Sequence, residues 1–145
     1  MMAGMTVIVR TIARLLFPFT FLFGVYIVLH GHLTPGGGFP GGVIIASSVI
    51  MLLLAYGIER TQKRVGFLQA EVLESVGGLA IAVLGLFGLL LGIAFLQNVF
   101  PLGELGQLFS AGNLPLLYLG VGIKVTAGII LIFYAMLFAF RGEEK

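Results

Sequence analysis

LPLLYLGVGIKVTAGIILIFYAMLFAF, residues 114–140, runs through 27 positions with a single charged side chain, Lys124. Crossing a hydrocarbon core of about 30 Å takes roughly 20 helical residues, so this stretch is long enough to span a membrane. Backbone groups in lipid must be satisfied within the protein. The stretch lacks the two-residue alternation of a barrel strand, which leaves a helix.

Three further stretches meet the same test. The first covers about Val7 to Leu29 and carries no charge from Leu15 onward. The second covers about Phe39 to Ile58. The third covers about Ala70 to Leu96, with Glu71 and Glu74 in its first turns. Of 145 residues, 59% are hydrophobic and 10% charged, more apolar surface than a soluble domain of this size could hide. The fold expected is an all-α integral membrane protein, one membrane domain over residues 1–145, with four transmembrane helices. The first segment has a charged start and an apolar middle, but no small-x-small cleavage pattern follows, so it is expected to be retained.

The basic residues give the orientation. Arg10 and Arg14 open the first helix, Arg60, Lys63 and Arg64 fill the second connection, and Arg141 and Lys145 follow the fourth helix. The first and third connections contain no Lys or Arg. Seven basic residues against none predict both termini on the cytoplasmic side of the cell membrane. Cysteine is absent, which excludes disulfides, thiolate catalysis and cysteine-ligated zinc or iron–sulfur centres. With no long polar stretch outside the membrane, no catalytic site, metal or cofactor is expected in this chain. Its partners are the bilayer and other membrane subunits, not nucleic acid.

Charges inside the spans are the first functional candidates. Lys124 lies ten residues from Leu114, about 15 Å along a helix and close to the midplane. A charge there is costly without water or a partner, and a desolvated lysine is suited to exchanging a proton. A proton or cation path, an ion pair to a neighbouring subunit, and a stem that snorkels outward are the three roles open to it. An antiparallel arrangement puts Lys124 nearer the height of Phe87 than of Glu74, so its counter-ion is expected in another subunit. Glu71 and Glu74 share one helix face. They suit either the positive end of a helix dipole or the mouth of an ion route. His30 and His32 lack the third ligand of a zinc site and fit loop hydrogen bonding, with His32 retained as an ion-path candidate. Glu104 falls in the outer third connection and is expected to be solvated.

Small residues form stripes suited to close helix packing in membranes. On the third helix Gly78, Gly85 and Gly92 recur every seven residues, flanked by Gly77 and Gly88. On the fourth, Gly120, Lys124 and Gly128 follow four-residue spacing.

The remaining signal is HGHLTPGGGFPGG, residues 30–42. A phosphate cradle would need GxxxxGK[ST] after a strand, and neither is present. Pro35 and Pro40 stop helices, while the glycines permit tight turns and close backbone approach. The string resembles the signature of the MnhB family, the B subunit of Mrp-type multisubunit sodium/proton antiporters: GH, Ser or Thr, PGGGF, one variable residue, GG. Gly31, His32, Thr34, Pro35, Gly36, Gly37, Gly38, Phe39, Gly41 and Gly42 match it, with Pro40 at the variable position. The resemblance implies an accessory subunit that completes an antiporter module and lines part of its ion path, the pumping helices belonging to larger neighbours. Similar modules occur in membrane-bound hydrogenases and related redox complexes, whose metal centres lie in other chains. The sequence departs from the family in having no acid around the start of the last helix and carrying Lys124 further in instead, which points toward the redox-linked version. A stand-alone homo-oligomeric channel is the third possibility. An inverted internal repeat would support it, and the two helix pairs show none.

Overall fold

The computed structural model describes residues 5–33, 35–63, 65–104, 106–107 and 110–143, without the side chains of residues 59, 60 and 141–143. Thr34, Arg64 and Lys145 therefore lie outside the described residues, as do the side chains of Arg60 and Arg141. The elements are α1 (Val7–Leu29), α2 (Gly38–Tyr56), α3 (Ile58–Gln62), α4 (Phe67–Leu90) and α5 (Leu114–Glu143), with no strand among the described residues. All but α3 are long and apolar enough to cross a membrane, and the chain is a multi-pass membrane protein.

Two helices end earlier than the apolar runs suggest. The second stops at Tyr56 because Gly57 adopts φ +85°, a left-handed conformation that terminates a helix without steric cost. The Gly57 amide donates to the Leu53 carbonyl at 2.9 Å. Ile58, expected at the end of that span, opens α3 and packs into the core. The third begins at Phe67, three residues before Ala70, where the Gln69 side chain accepts from the Gly66 amide at 3.1 Å. It ends at Leu90, not Leu96. Gly92 has φ +76°, the Ile93 amide donates back to the Gly88 carbonyl at 3.1 Å, and residues 93–96 double back over the helix end. Phe95 then lies against Gly85, and the Ala94 carbonyl lies where a side chain at Gly88 would be.

The spanning helices stand in a row, α1 against α2, α2 against α5 and α5 against α4. The window that qualifies α2 as a span is 44% buried, against 17% for each of the others, so α2 is the best-covered span. Gly41 faces α1, where an added carbon would come within 2.9 Å of the Gly24 carbonyl oxygen. Gly42 faces α5, 2.8 Å from that of Gly122. Thr126 on α5 donates to the Gly122 carbonyl of its own helix at 2.7 Å and lies 3.1 Å from the Gly42 carbonyl of α2. Hydroxyl–carbonyl links of this kind hold helices together where no water competes. At the other end Ala46, Val49, Leu53, Ile58, Ala70, Ile130 and Tyr134 form the core. The Tyr134 hydroxyl donates to the Val65 carbonyl at 2.6 Å, so α5 also holds the connection between α3 and α4.

Candidate functional site

Two regions carry the residues singled out in the sequence: the glycine-rich junction before α2, and the charges between α4 and α5. In the junction His30 ends α1, its amide donating to the Tyr26 carbonyl at 2.9 Å and its ring stacked on that of Tyr26 at 4.1 Å. Gly37 (φ +92°) turns the chain into α2. The Tyr118 ring of α5 closes over the turn, so that a side chain on Gly31 or Gly37 would meet it at 3.1–3.2 Å. Gly38 packs directly on the Tyr118 carbonyl. The glycines thus let one strip of backbone lie between α1 and α5, and any larger residue would force those helices apart. His32 reaches the third connection, its Nε2 3.3 Å from the Gln107 carbonyl oxygen, while its buried Nδ1 has no hydrogen-bond partner among the described residues. Phe39 points away from the fold and is 63% exposed.

The third connection is itself built around an amide. Asn113 accepts from the Val99 and Phe100 amides at 3.3 and 3.4 Å and donates to the Gln97 carbonyl at 3.0 Å. Glu104 is exposed and accepts from the Gln107 side chain at 2.9 Å.

Lys124 corrects an expectation. Its ammonium pairs with the Glu74 carboxylate of the same chain, where the sequence alone places its counter-ion in another subunit. The register explains this. Gly77 seats against the Lys124 amide, an added carbon there coming within 2.8 Å of it and 3.0 Å of the Gly120 carbonyl oxygen. Glu74 is only three residues from Gly77, about 4.5 Å of helix rise. The lysine stem runs past Gly78, whose added carbon would meet Nζ at 3.2 Å. Because α4 begins at Phe67, Glu74 also lies deeper than a start at Ala70 implied. The pair is not enclosed by this chain: the Lys124 and Glu74 side chains are 45% and 32% exposed. Glu71, one turn nearer the start of α4, is exposed.

The glycine stripes are partly redrawn. Gly120 meets α4 through Ile81 and Gly77. Gly78 accommodates the lysine stem and Gly85 receives Phe95 of its own chain. Gly92 lies beyond the helix end, and at Gly92 and Gly128 an added carbon would meet nothing within 4 Å. The contacts that matter most, Gly24, Gly122 and Tyr118, were not marked in the sequence. Gly24 is isolated in α1, Gly122 falls off the four-residue spacing of Gly120 and Gly128, and an aromatic near the end of a span has many roles.

The family described as "Domain related to MnhB subunit of Na+/H+ antiporter" matches residues 8–142. Uncharacterized protein MJ1307 of Methanocaldococcus jannaschii is 36% identical over 114 residues, 73% of this chain and 42% of that protein. The putative antiporter subunit mnhB2 of Staphylococcus aureus is 28% identical over 133 residues, 90% of this chain and 93% of that one. Among solved structures, a chain of the membrane-bound sulfane sulfur reductase, an archaeal respiratory membrane complex, superimposes with a TM-score of 0.76 at 42% identity. It covers 94% of this chain and 60% of its own length. A chain of the Mrp complex from Dietzia sp. DQ12-45-1b gives a TM-score of 0.69 at 27% identity, over 86% of this chain and 13% of its own. The chain therefore spans less than two thirds of the length of MJ1307 and of the reductase chain. A match over nearly its whole length, together with the GH–T–PGGGF–x–GG junction, makes the chain a member of the family of domains related to the MnhB subunit of sodium/proton antiporters.

Proposed function

We propose that this chain is an accessory membrane subunit of an Mrp-type sodium/proton antiporter module in the cytoplasmic membrane. It contributes to assembly and to the ion path, and its partners are the other membrane subunits. The Lys124–Glu74 pair carries the proposal. An ion pair held within a membrane span and left a third to a half exposed is costly against lipid. A neighbouring subunit, or water in a path between subunits, removes that cost. Phe39, exposed at the start of α2, offers such a neighbour an aromatic anchor.

A second setting is the same subunit in a respiratory redox complex, with electron transfer in other chains. The 42% identity to the sulfane sulfur reductase chain, against 27% to the Mrp chain, favours it. Purifying the tagged chain in mild detergent and identifying its companions by mass spectrometry separates the two. Large antiporter subunits alone are expected for the pure antiporter, and metal-centre subunits beside them for the redox-linked complex. A lone homo-oligomer would overturn the subunit proposal. In the same assay Phe39→Ala should reduce complex yield without loss of helical circular dichroism. Normal yield would remove Phe39 from the interface.

A further inference from the structure

We infer that the cavity between the first turns of α1, the end of α2 and α3 binds an anionic phospholipid, the phosphate at Arg14 and the acyl chains along the apolar wall. The cavity measures about 600 Å³, within the range of roughly 300–1,000 Å³ typical of small-molecule sites. Its lining is divided by chemistry: Arg14, Tyr56 and Thr61 supply polar groups, while Phe17, Val49 and Leu52 are apolar.

The level fits a headgroup. From Leu15 to Leu29 no residue of α1 is charged, a length of about 22 Å at the helical rise. Arg14 therefore marks the edge of the hydrocarbon, where long cationic side chains and tyrosines collect. Its planar guanidinium matches two phosphate oxygens at once. Arg10 lies one turn away on the same face of α1. Its Nε is buried with no hydrogen-bond acceptor among the described residues, and a buried donor of this kind calls for an acceptor. The Tyr56 hydroxyl lies 3.4 Å from the Arg10 carbonyl oxygen and ties α2 to α1 at this height. Thr61 and Val65 line the cavity, and the sequence of their connection holds Arg60, Lys63 and Arg64 against Glu59. Basic clefts between spanning helices on the cytoplasmic side are suited to anionic headgroups. Phe17 lies one turn deeper than Arg14, so an acyl chain leaving the phosphate meets apolar wall. That distinguishes a lipid phosphodiester from free phosphate.

The inference needs only the membrane spans, not the antiporter assignment, so the two fail separately. The test uses the chain in whatever assembly it purifies with, delipidated in detergent and titrated with phosphatidylglycerol or phosphatidylcholine under native mass spectrometry. Phosphatidylglycerol should be retained in preference. Arg14→Gln should lower its retention about tenfold, the loss expected for a charge-assisted hydrogen bond, and Arg14→Lys should lose less. Should Arg14→Gln fail to fold, Leu52→Trp, which fills the cavity from its apolar wall, should also cut retention. Equal retention of the two lipids, or no effect of Arg14→Gln and Leu52→Trp, overturns the site. Competition by inorganic phosphate as strong as that by lipid would make it a free-phosphate site and overturn the lipid. Cross-linking of a photoreactive residue at position 14 to a partner subunit, with no lipid adduct, would mean that protein fills the cavity.

Discussion

Lys124 is the residue on which the subunit proposal turns. Its backbone packs against Gly77 and its stem runs past Gly78, which brings the ammonium to the Glu74 carboxylate. Removing one member leaves an unpaired charge within the span, whereas removing both leaves two polar or apolar groups that lipid or protein can accept. Complex yield should therefore fall in Lys124→Met and in Glu74→Gln, and recover in the double variant. Sodium/proton exchange in vesicles should stay slowed about tenfold in the double variant if the pair belongs to the ion path, a change of about 1.4 kcal/mol in barrier. Exchange at the normal rate in the double variant would leave the pair a purely structural role. That Lys124 and Glu74 were worth attention was legible in the sequence, because a charge in an apolar run stands out. That they meet was not. Their partnership depends on a register set by Gly77 and on where α4 begins and ends, and counting from a helix end at Leu96 in place of Leu90 moves that register by more than a turn.

Helix ends were the least legible feature for a related reason. In a soluble helix, polar residues mark where the chain leaves the core, but residues 91–96, LGIAFL, are as apolar as the helix they follow. Hydropathy cannot register the turn at Gly92 or the return of Phe95 over Gly85. The same glycine then serves two purposes: Gly85 looks like part of a helix-packing stripe, yet what it admits is a ring from its own chain. Packing between α4 and α5 falls instead to Gly77 and Gly120. Gly77→Val should force the helices apart against the Lys124 backbone and cost about 1–3 kcal/mol by overpacking. Gly128→Ala, with open space around it, should change little or stabilise slightly through helix propensity. Thermal midpoints in detergent would check both, and a Gly77→Val midpoint equal to wild type would refute the contact.

Four helices in a row leave long flanks uncovered. Most of the large apolar side chains of α1 and α4 are exposed, among them Leu15, Phe19, Leu22, Leu79 and Leu90, and these flanks face lipid or neighbouring subunits. The charge distribution predicts which leaflet each end of the row occupies. In the sequence, seven basic residues fall in or beside the terminal segments and the α2–α4 connection, and none falls in the other two connections. On that rule the His32–Gln107 junction and Glu104 are expected outside, and the Arg14 cavity in the inner leaflet. The absence of cysteine makes this directly measurable, since any thiol will be an introduced one. In intact cells a membrane-impermeant maleimide should label Glu104→Cys, whose side chain is exposed, and leave Lys63→Cys untouched until the cells are opened. The reverse pattern would invert the molecule. The ion-pair geometry would survive, but the anionic lipid would then have to come from the outer leaflet, and Phe39 would meet its partner on the cytoplasmic side.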